Sequence, residues 1–147
     1  MWRVFIKFGF LAVIAIFVAD QTAKNVPLTT QTANTASAVS SFKKNKSLLP
    51  LSKIQECLGK TGETSKCLDL LVRGFLKSHT TREALEILKF YEDNDADFRY
   101  SCHPMVHAVG RETFRVKGTI PDSFGACDQT CHSGCYHGAM ERFFRGD

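Results

Sequence analysis

The amino-acid sequence predicts an all-α domain that follows an N-terminal targeting segment and a flexible linker. After position 47, apolar residues recur at spacings of three and four, the period of an amphipathic helix. Short polar segments with helix-capping residues separate these apolar stretches. No stretch alternates polar and apolar residues convincingly, so we expect no β-sheet. Together these observations favour an array of helical hairpins.

Residues 1–19 have the composition of a signal peptide or a membrane anchor. Arg3 and Lys7 supply positive charge, and residues 8–19 form an apolar run of 12. This length matches the core of a signal peptide and is short for a transmembrane helix. The segment lacks a typical small-residue cleavage site, so both a cleaved signal and a retained anchor stay open. Either one predicts an extracytoplasmic domain whose membrane contact runs through this segment.

Residues 20–47 are predicted to form a flexible linker, because Thr, Ala, Ser, Asn and Gln dominate them. Such a segment buries too little apolar surface to offset its ordering entropy. Residues 48–147 are predicted to form the helical domain. A Cys/His-rich segment ends close to the last residue, so we also consider that the sequence is cut from a longer chain.

Three helices are predicted in the first half of the domain. The first begins near Pro50 and Ser52 and ends at Gly59, and the second follows Ser65. The third opens with the capping box of Thr80 and ends at residues 93–95. The turns between them are short, which favours antiparallel neighbours.

Two more helices are predicted in the second half, separated by a loop. One runs from Pro104 to about Val116, because proline is favoured in the first turn of a helix. Residues 119–134 are rich in Gly, Pro, Asp and Ser and are predicted to form the loop. The last helix is predicted to start near Cys135 and to end at Arg145. Its expected core stripe is Tyr136, Met140, Phe143 and Phe144.

Charge distribution and the motifs of the sequence argue against three functional classes. The 19 basic and 15 acidic residues give a net charge of only +4, and the basic residues are interspersed without a stripe. This distribution excludes a nucleic-acid partner. The sequence also lacks a glycine-rich phosphate loop and the nucleophile elbow of serine hydrolases.

Four of the six cysteines and four of the five histidines lie within residues 102–141. His103 and His107 are one helical turn apart, and so are His137 and Glu141. We therefore expect these four residues to bind a divalent metal, preferably zinc, between the last two helices. Two glycines that lack side chains, Gly110 and Gly138, would let those helices approach closely.

The reaction and its substrate stay open in this hypothesis, as does the question whether the protein is an enzyme at all. An enzyme of this kind would use metal-assisted hydrolysis, with Glu141 or Glu112 as the proton acceptor.

Disulfide bonds are the competing interpretation of the cysteines outside the cytoplasm. Cys57 and Cys67 lie on either side of the first helical turn and are expected to pair. For Cys102, Cys127, Cys131 and Cys135 the pairing stays open, and thiolate ligation of zinc together with His132 is an alternative. A disulfide-stapled binding module without a cofactor is one further functional class.

Covalent haem is the other alternative. Attachment of haem c normally uses two cysteines separated by two residues and followed by histidine. Cys127, Cys131 and His132 form such a motif with one additional residue between the cysteines. This reading predicts a small exported electron carrier.

Overall fold

The computed structural model describes residue 46 and residues 48–146, which form seven helices and contain no strand. The all-α prediction is therefore confirmed for this part of the chain. The helices are α1 (Leu51–Leu58), α2 (Thr64–Phe75), α3 (Thr81–Asn94), α4 (Ala96–Ser101), α5 (His103–Lys117), α6 (Ile120–Ala126) and α7 (Thr130–Arg145). The predicted targeting segment and nearly all of the predicted linker lie outside the described residues. No helix within residues 48–146 combines the length and apolarity that crossing a bilayer requires.

The first hairpin, α1 and α2, is closed by a disulfide bond. Cys57 near the end of α1 is bonded to Cys67 in the first turn of α2, with 5.4 Å between their Cα atoms. The predicted pairing of these two cysteines is thus confirmed. The bond holds the hairpin where the chain turns at Gly59, the residue that caps α1.

The third helix begins at the predicted capping box. The Thr80 hydroxyl oxygen accepts a hydrogen bond from the Glu83 amide at 3.2 Å. In return the Thr80 amide donates to the Glu83 carboxylate at 2.7 Å. Two backbone amides at the start of α3 thereby find partners, which fixes the beginning of the helix.

Two short helices, α4 and α6, were not predicted. The Asp95 carboxylate caps α4 by accepting from the Phe98 amide at 2.7 Å, and the Thr119 hydroxyl caps α6 by accepting from the Asp122 amide at 3.2 Å. The prediction that residues 119–134 form a loop is therefore wrong. Its Thr, Pro and Asp residues are the starting signal of a helix and not the components of a turn.

The most extensive helix contact joins α5 and α7. Residue numbers increase together along this contact, from His103 beside Cys131 to Phe114 beside Phe143, so the two helices run parallel. A parallel pair requires the intervening chain to return to its starting end, and the unpredicted helix α6 lies on that return path. The expectation of antiparallel neighbours does not extend to this pair.

Two glycines allow the backbones of α5 and α7 to touch. A Cβ atom at Gly110 would collide with the Cys135 carbonyl oxygen and lie 2.7 Å from the Ala139 nitrogen. One at Gly138 would collide with the His107 carbonyl oxygen. The prediction that these glycines permit close approach is therefore confirmed.

The buried face of α7 differs from the predicted aromatic stripe. Phe143 and Phe144 are 51% and 75% exposed. Small residues instead face α5, because the backbones are too close for large side chains between them. These small buried residues are Gly134, Cys135, Gly138 and Ala139.

The apolar core lies among α1 to α5. Its largest fully buried side chains come from every one of these helices and from the segment before α1. They include Leu49, Ile54, Leu68, Leu85, Ile87, Leu88, Phe98 and Met105. This core supports α5 from one side, and α7 covers another face of α5.

Gly110→Ala should destabilise the domain by about 1–3 kcal/mol, because the added methyl group meets backbone atoms that have no room to move. Gly74→Ala in α2 is the matched control, since a Cβ there meets nothing within 4 Å. That control should be neutral or stabilise by about 0.5–1 kcal/mol. Urea denaturation followed by circular dichroism measures both changes. Equal stability of the two variants would contradict the close packing.

Candidate metal centre

Three histidines converge where α5 meets α7. His103 and His107 lie one turn apart on α5, and His137 comes from α7. One ring nitrogen of each lies within 4.8 Å of the other two. The ring centroids of His107 and His137 are 5.5 Å apart. The structure thus brings together three of the four residues that the sequence suggested as ligands.

The His103 ring is oriented by a backbone carbonyl. Its Nδ1 atom lies 2.9 Å from the carbonyl oxygen of Cys131. A carbonyl oxygen only accepts hydrogen bonds, so Nδ1 carries the proton and donates it. The assignment of this tautomer leaves the lone pair on Nε2, which is the nitrogen that points toward His107.

The His107 ring is oriented by a carboxylate. Its Nδ1 atom lies 3.1 Å from Glu141 Oε1. Burial alone would raise the pKa of Glu141, but hydrogen bonds from Arg111 and His107 outweigh it and the pKa is lowered. Burial also lowers the pKa of His107, with Glu141 opposing this effect. A neutral imidazole that donates from Nδ1 to a carboxylate again carries its lone pair on Nε2.

The two lone pairs face each other. The Nε2 atoms of His103 and His107 are 3.0 Å apart, although both Nδ1 protons are committed elsewhere. Two acceptors at this distance repel unless a proton or a metal ion lies between them. Tetrahedral zinc with bonds of 2.0–2.1 Å places its ligand nitrogens about 3.3 Å apart. The separation of these two nitrogens is therefore close to that of two zinc ligands, and His137 offers a ring nitrogen within 4.8 Å of both histidines.

Glu141 lies behind His107 and not beside the converging nitrogens. One carboxylate oxygen accepts from His107, and the other accepts from Arg111 at 2.7 Å. We expected Glu141 to be a fourth ligand, whereas in this arrangement it is hydrogen-bonded to a histidine of the cluster. Carboxylates commonly hold a metal-binding histidine in this way.

Arg111 and Asp69 extend this support and were missed from the sequence. Arg111 is only 5% exposed, and its guanidinium also binds the Asp69 carboxylate at 2.7 Å. Burial acts to lower the pKa of Arg111, but Asp69 and Glu141 raise it above its ordinary value. With one arginine and two carboxylates, the support carries a formal charge of −1, which favours a cation. Arg111 follows His107 by one turn, whereas nothing in the sequence links it to Asp69.

The turn that presents the Cys131 carbonyl has an unusual backbone. Cys131, His132 and Ser133 have φ values of 48°, 60° and 61°, in the left-handed region. This conformation costs roughly 1–2 kcal/mol for each residue other than glycine. The regular right-handed part of α7 begins at Gly134, close to the predicted start at Cys135. Strain of this kind is often found at functional sites.

Two disulfide bonds restrain the left-handed turn, one from a residue within it and one between residues on its two sides. Cys131 is bonded to Cys102, which directly precedes His103, and Cys127 is bonded to Cys135. All six cysteines of the chain are therefore in disulfides. Three disulfides are typical of proteins in an oxidising, extracytoplasmic environment.

These bonds overturn both cofactor alternatives that use the cysteines. Haem c attachment needs free thiols, yet Cys127 and Cys131 are each bonded to another cysteine. Zinc ligation by the same sulfurs with His132 fails for the same reason. His132 itself is exposed, with its ring centroid 6.4 Å from that of His103. Glu92 lies near the sulfurs of Cys102 and Cys131, but a disulfide is not a thiolate ligand.

Glu112, the other expected proton acceptor, is separate from the histidines. Its carboxylate is fully buried and accepts from Arg73 at 2.8 and 3.0 Å and from Arg115 at 2.6 Å. Burial would raise the pKa of Glu112, but the bonds from both arginines lower it. A carboxylate held by two guanidinium groups is a weak base. Its role is structural, since it ties α2 to α5.

A cavity of about 310 Å³ opens beside the histidines. His103, His107 and Glu141 line it together with Thr64 and Ser65 of α2. A larger cavity of about 450 Å³ lies near the other end of α5, at Val116 and His79. Within the described residues that cavity contains no convergent set of metal-binding groups. The smaller cavity is therefore the candidate binding cavity.

Comparisons with models of protein families, with curated protein sequences and with solved structures found no match for this chain.

Glu112→Gln should lower the stability at neutral pH by about 1.5–3 kcal/mol, because a charged hydrogen-bond acceptor is lost. The lowered pKa means that the native carboxylate stabilises the fold above the unfolded value of about 4.3. This contribution is lost as the pH falls through the native pKa. The difference between wild type and variant should therefore narrow below about pH 4. Urea denaturation across pH measures it, with exposed Glu86→Gln as the control; a difference independent of pH would contradict the ion pair.

Proposed function

We propose that this chain is an extracytoplasmic domain that binds a divalent ion, preferably zinc, through His103, His107 and His137. The observation that carries the proposal is the 3.0 Å separation of two Nε2 atoms whose Nδ1 atoms both donate elsewhere. A cation between these nitrogens removes the repulsion of their lone pairs. The negatively charged support behind His107 favours the same occupant.

The donor set argues for zinc among the common ions. Calcium and magnesium prefer oxygen ligands, whereas imidazole nitrogens suit zinc and other late transition metals. Three protein nitrogens with a fourth position open are the arrangement of catalytic zinc sites. Copper and nickel accept the same ligands and are distinguished by elemental analysis.

Metal-assisted hydrolysis is a second candidate function. The cavity of about 310 Å³ beside His103 and His107 favours it, because a small substrate would fit next to the metal. Zinc with an open position supplies Lewis acidity for such a reaction. Glu141 is unsuited to the role of proton acceptor that we expected, since both of its oxygens already accept hydrogen bonds. Its part is to orient His107.

His107→Ala and His137→Ala should each abolish stoichiometric zinc binding. Wild type should bind about one ion per domain, and loss of a direct ligand should weaken affinity by more than the roughly 10–100-fold that supporting residues contribute. His79→Ala is the control, because His79 lies on the larger cavity away from the cluster. Isothermal titration and elemental analysis measure both quantities. No bound metal in wild type, or equal binding by all variants, would refute the site.

Glu141→Gln should weaken zinc affinity by roughly 10–100-fold without abolishing it. The amide keeps the shape of the side chain but loses the charge that pairs with Arg111 and accepts from His107. Exposed Glu86→Gln should leave the affinity unchanged. An effect as large as that of His107→Ala would instead indicate that Glu141 binds the metal directly.

Hydrolysis is tested separately with zinc-loaded protein and activated small esters and phosphoesters. Turnover that disappears in His107→Ala and persists in His79→Ala would support the catalytic role. Zinc binding without turnover on either substrate class would refute the hydrolysis of ester and phosphoester bonds. Metal binding would then remain as the proposed function.

A further inference from the structure

We propose that the Cys102–Cys131 disulfide positions a metal ligand, so that zinc affinity and the oxidation of this bond are thermodynamically linked. The inference rests on the proposed function, since it concerns the same histidine site. It assigns to this disulfide a role that the Cys57–Cys67 bond does not share.

Cys131 contacts the site in two ways. Its sulfur is bonded to Cys102, and its carbonyl oxygen accepts the Nδ1 proton of His103 at 2.9 Å. Cys102 is also the residue directly before His103. The disulfide, the peptide bond between Cys102 and His103, and the hydrogen bond from His103 to Cys131 therefore form a closed ring. His103, a proposed metal ligand, is part of this ring. The ring fixes both the position of the imidazole and the nitrogen that carries its lone pair.

The left-handed turn needs this restraint. Cys131, His132 and Ser133 are all in a conformation that side chains disfavour. Once the bond between Cys102 and Cys131 is broken, only the Cys127–Cys135 bond still spans the turn, and Cys131 is no longer held to the residue before His103, so the turn relaxes toward more favourable backbone angles. Relaxation rotates the Cys131 carbonyl away from His103. The imidazole then loses its partner and samples orientations in which Nε2 no longer faces His107.

The bond between Cys102 and Cys131 forms by thiol–disulfide exchange with an external disulfide. A thiolate of Cys102 or Cys131 attacks the disulfide of an oxidant, and the second cysteine displaces the oxidant from the mixed disulfide. Two protons and two electrons leave the protein, and the oxidant departs as a dithiol. Both cysteines are fully buried in the folded domain, so exchange requires an open state of the chain.

Linkage gives the proposal a reciprocal form. If oxidation raises zinc affinity by some factor, bound zinc must make reduction of the same bond less favourable by that factor. The bond between Cys57 and Cys67 joins α1 to α2, and neither of these cysteines is adjacent in sequence or hydrogen-bonded to one of the three histidines. Zinc should leave its reduction unchanged.

The opposite effect, in which zinc promotes reduction of the Cys102–Cys131 bond, also has a chemical basis. The sulfurs of Cys102 and Cys131 and a carboxylate oxygen of Glu92 lie within 4.8 Å of one another. After reduction, two thiolates and this carboxylate would be able to bind zinc themselves. In that case zinc would promote reduction of the bond, and the proposal would be wrong.

The first experiment replaces the cysteines by alanine, which excludes thiolate ligation. Cys102→Ala with Cys131→Ala should lower zinc affinity by roughly 10–100-fold, the range typical of supporting residues. Cys57→Ala with Cys67→Ala is the matched control and should retain wild-type affinity. Circular dichroism verifies that both double variants keep their helices. Equal affinity in the two folded variants would overturn the proposal.

The second experiment uses the intact protein, so it stands even where a double variant does not fold. The oxidised domain is equilibrated in glutathione buffers of stepped potential with and without free zinc, and free thiols are alkylated and located by mass spectrometry. Zinc should shift the reduction midpoint of Cys102–Cys131 toward more reducing buffers and leave that of Cys57–Cys67 in place. Equal protection of both bonds, or easier reduction of Cys102–Cys131, would overturn the proposal.

Both experiments separate this inference from the zinc site itself. Oxidised wild type that binds no zinc would refute the metal site, and the positioning role with it. Zinc binding that is lost in His107→Ala but unaffected by the Cys102–Cys131 bond would refute only the positioning role.

Discussion

The contact between the backbones of α5 and α7 determines where the three clustered histidines lie relative to one another. Gly110 and Gly138 make the contact feasible, because a Cβ at either position would collide with the facing backbone. With the helices this close, a histidine from α7 reaches the two on α5. The same closeness leaves no room for large side chains at the centre of the contact, and Phe143 packs on Phe114 only at its partly exposed end.

Two groups of paired arginine and carboxylate side chains are centred on α5. Arg111 bridges Asp69 and Glu141, and Glu112 receives hydrogen bonds from two arginines. Buried ion pairs contribute little net stability, because desolvation offsets their attraction. Their value is in geometry. The first group holds the carboxylate that accepts from His107, and both groups tie α2 to α5 through Asp69 and Arg73.

Disulfide bonds hold the left-handed turn of α7 in a conformation that side-chain packing alone would not maintain. The left-handed residues at the start of α7 carry backbone strain of several kcal/mol. The two disulfides at this turn offset that cost, because they restrict the conformations of the unfolded chain. Bonds that close loops of this size stabilise a domain by roughly 2–4 kcal/mol each on the chain-entropy model. The domain thereby keeps a strained turn whose carbonyl oxygen orients His103. Oxidising surroundings are a requirement of this arrangement.

Local signals in the sequence determined the helix end at Gly59, the helix starts at Thr80 and Pro104, and the pairing of Cys57 with Cys67. These features depend on neighbours in the chain, through helix periodicity, capping and short loop closure. Only the tertiary structure decided that Glu141 is hydrogen-bonded to His107, that Glu112 is held by two arginines, and that Cys102 pairs with Cys131 and Cys127 with Cys135. Those outcomes depend on partners up to 42 positions away, such as Asp69 for Arg111, and on a backbone strain that residue types alone do not encode.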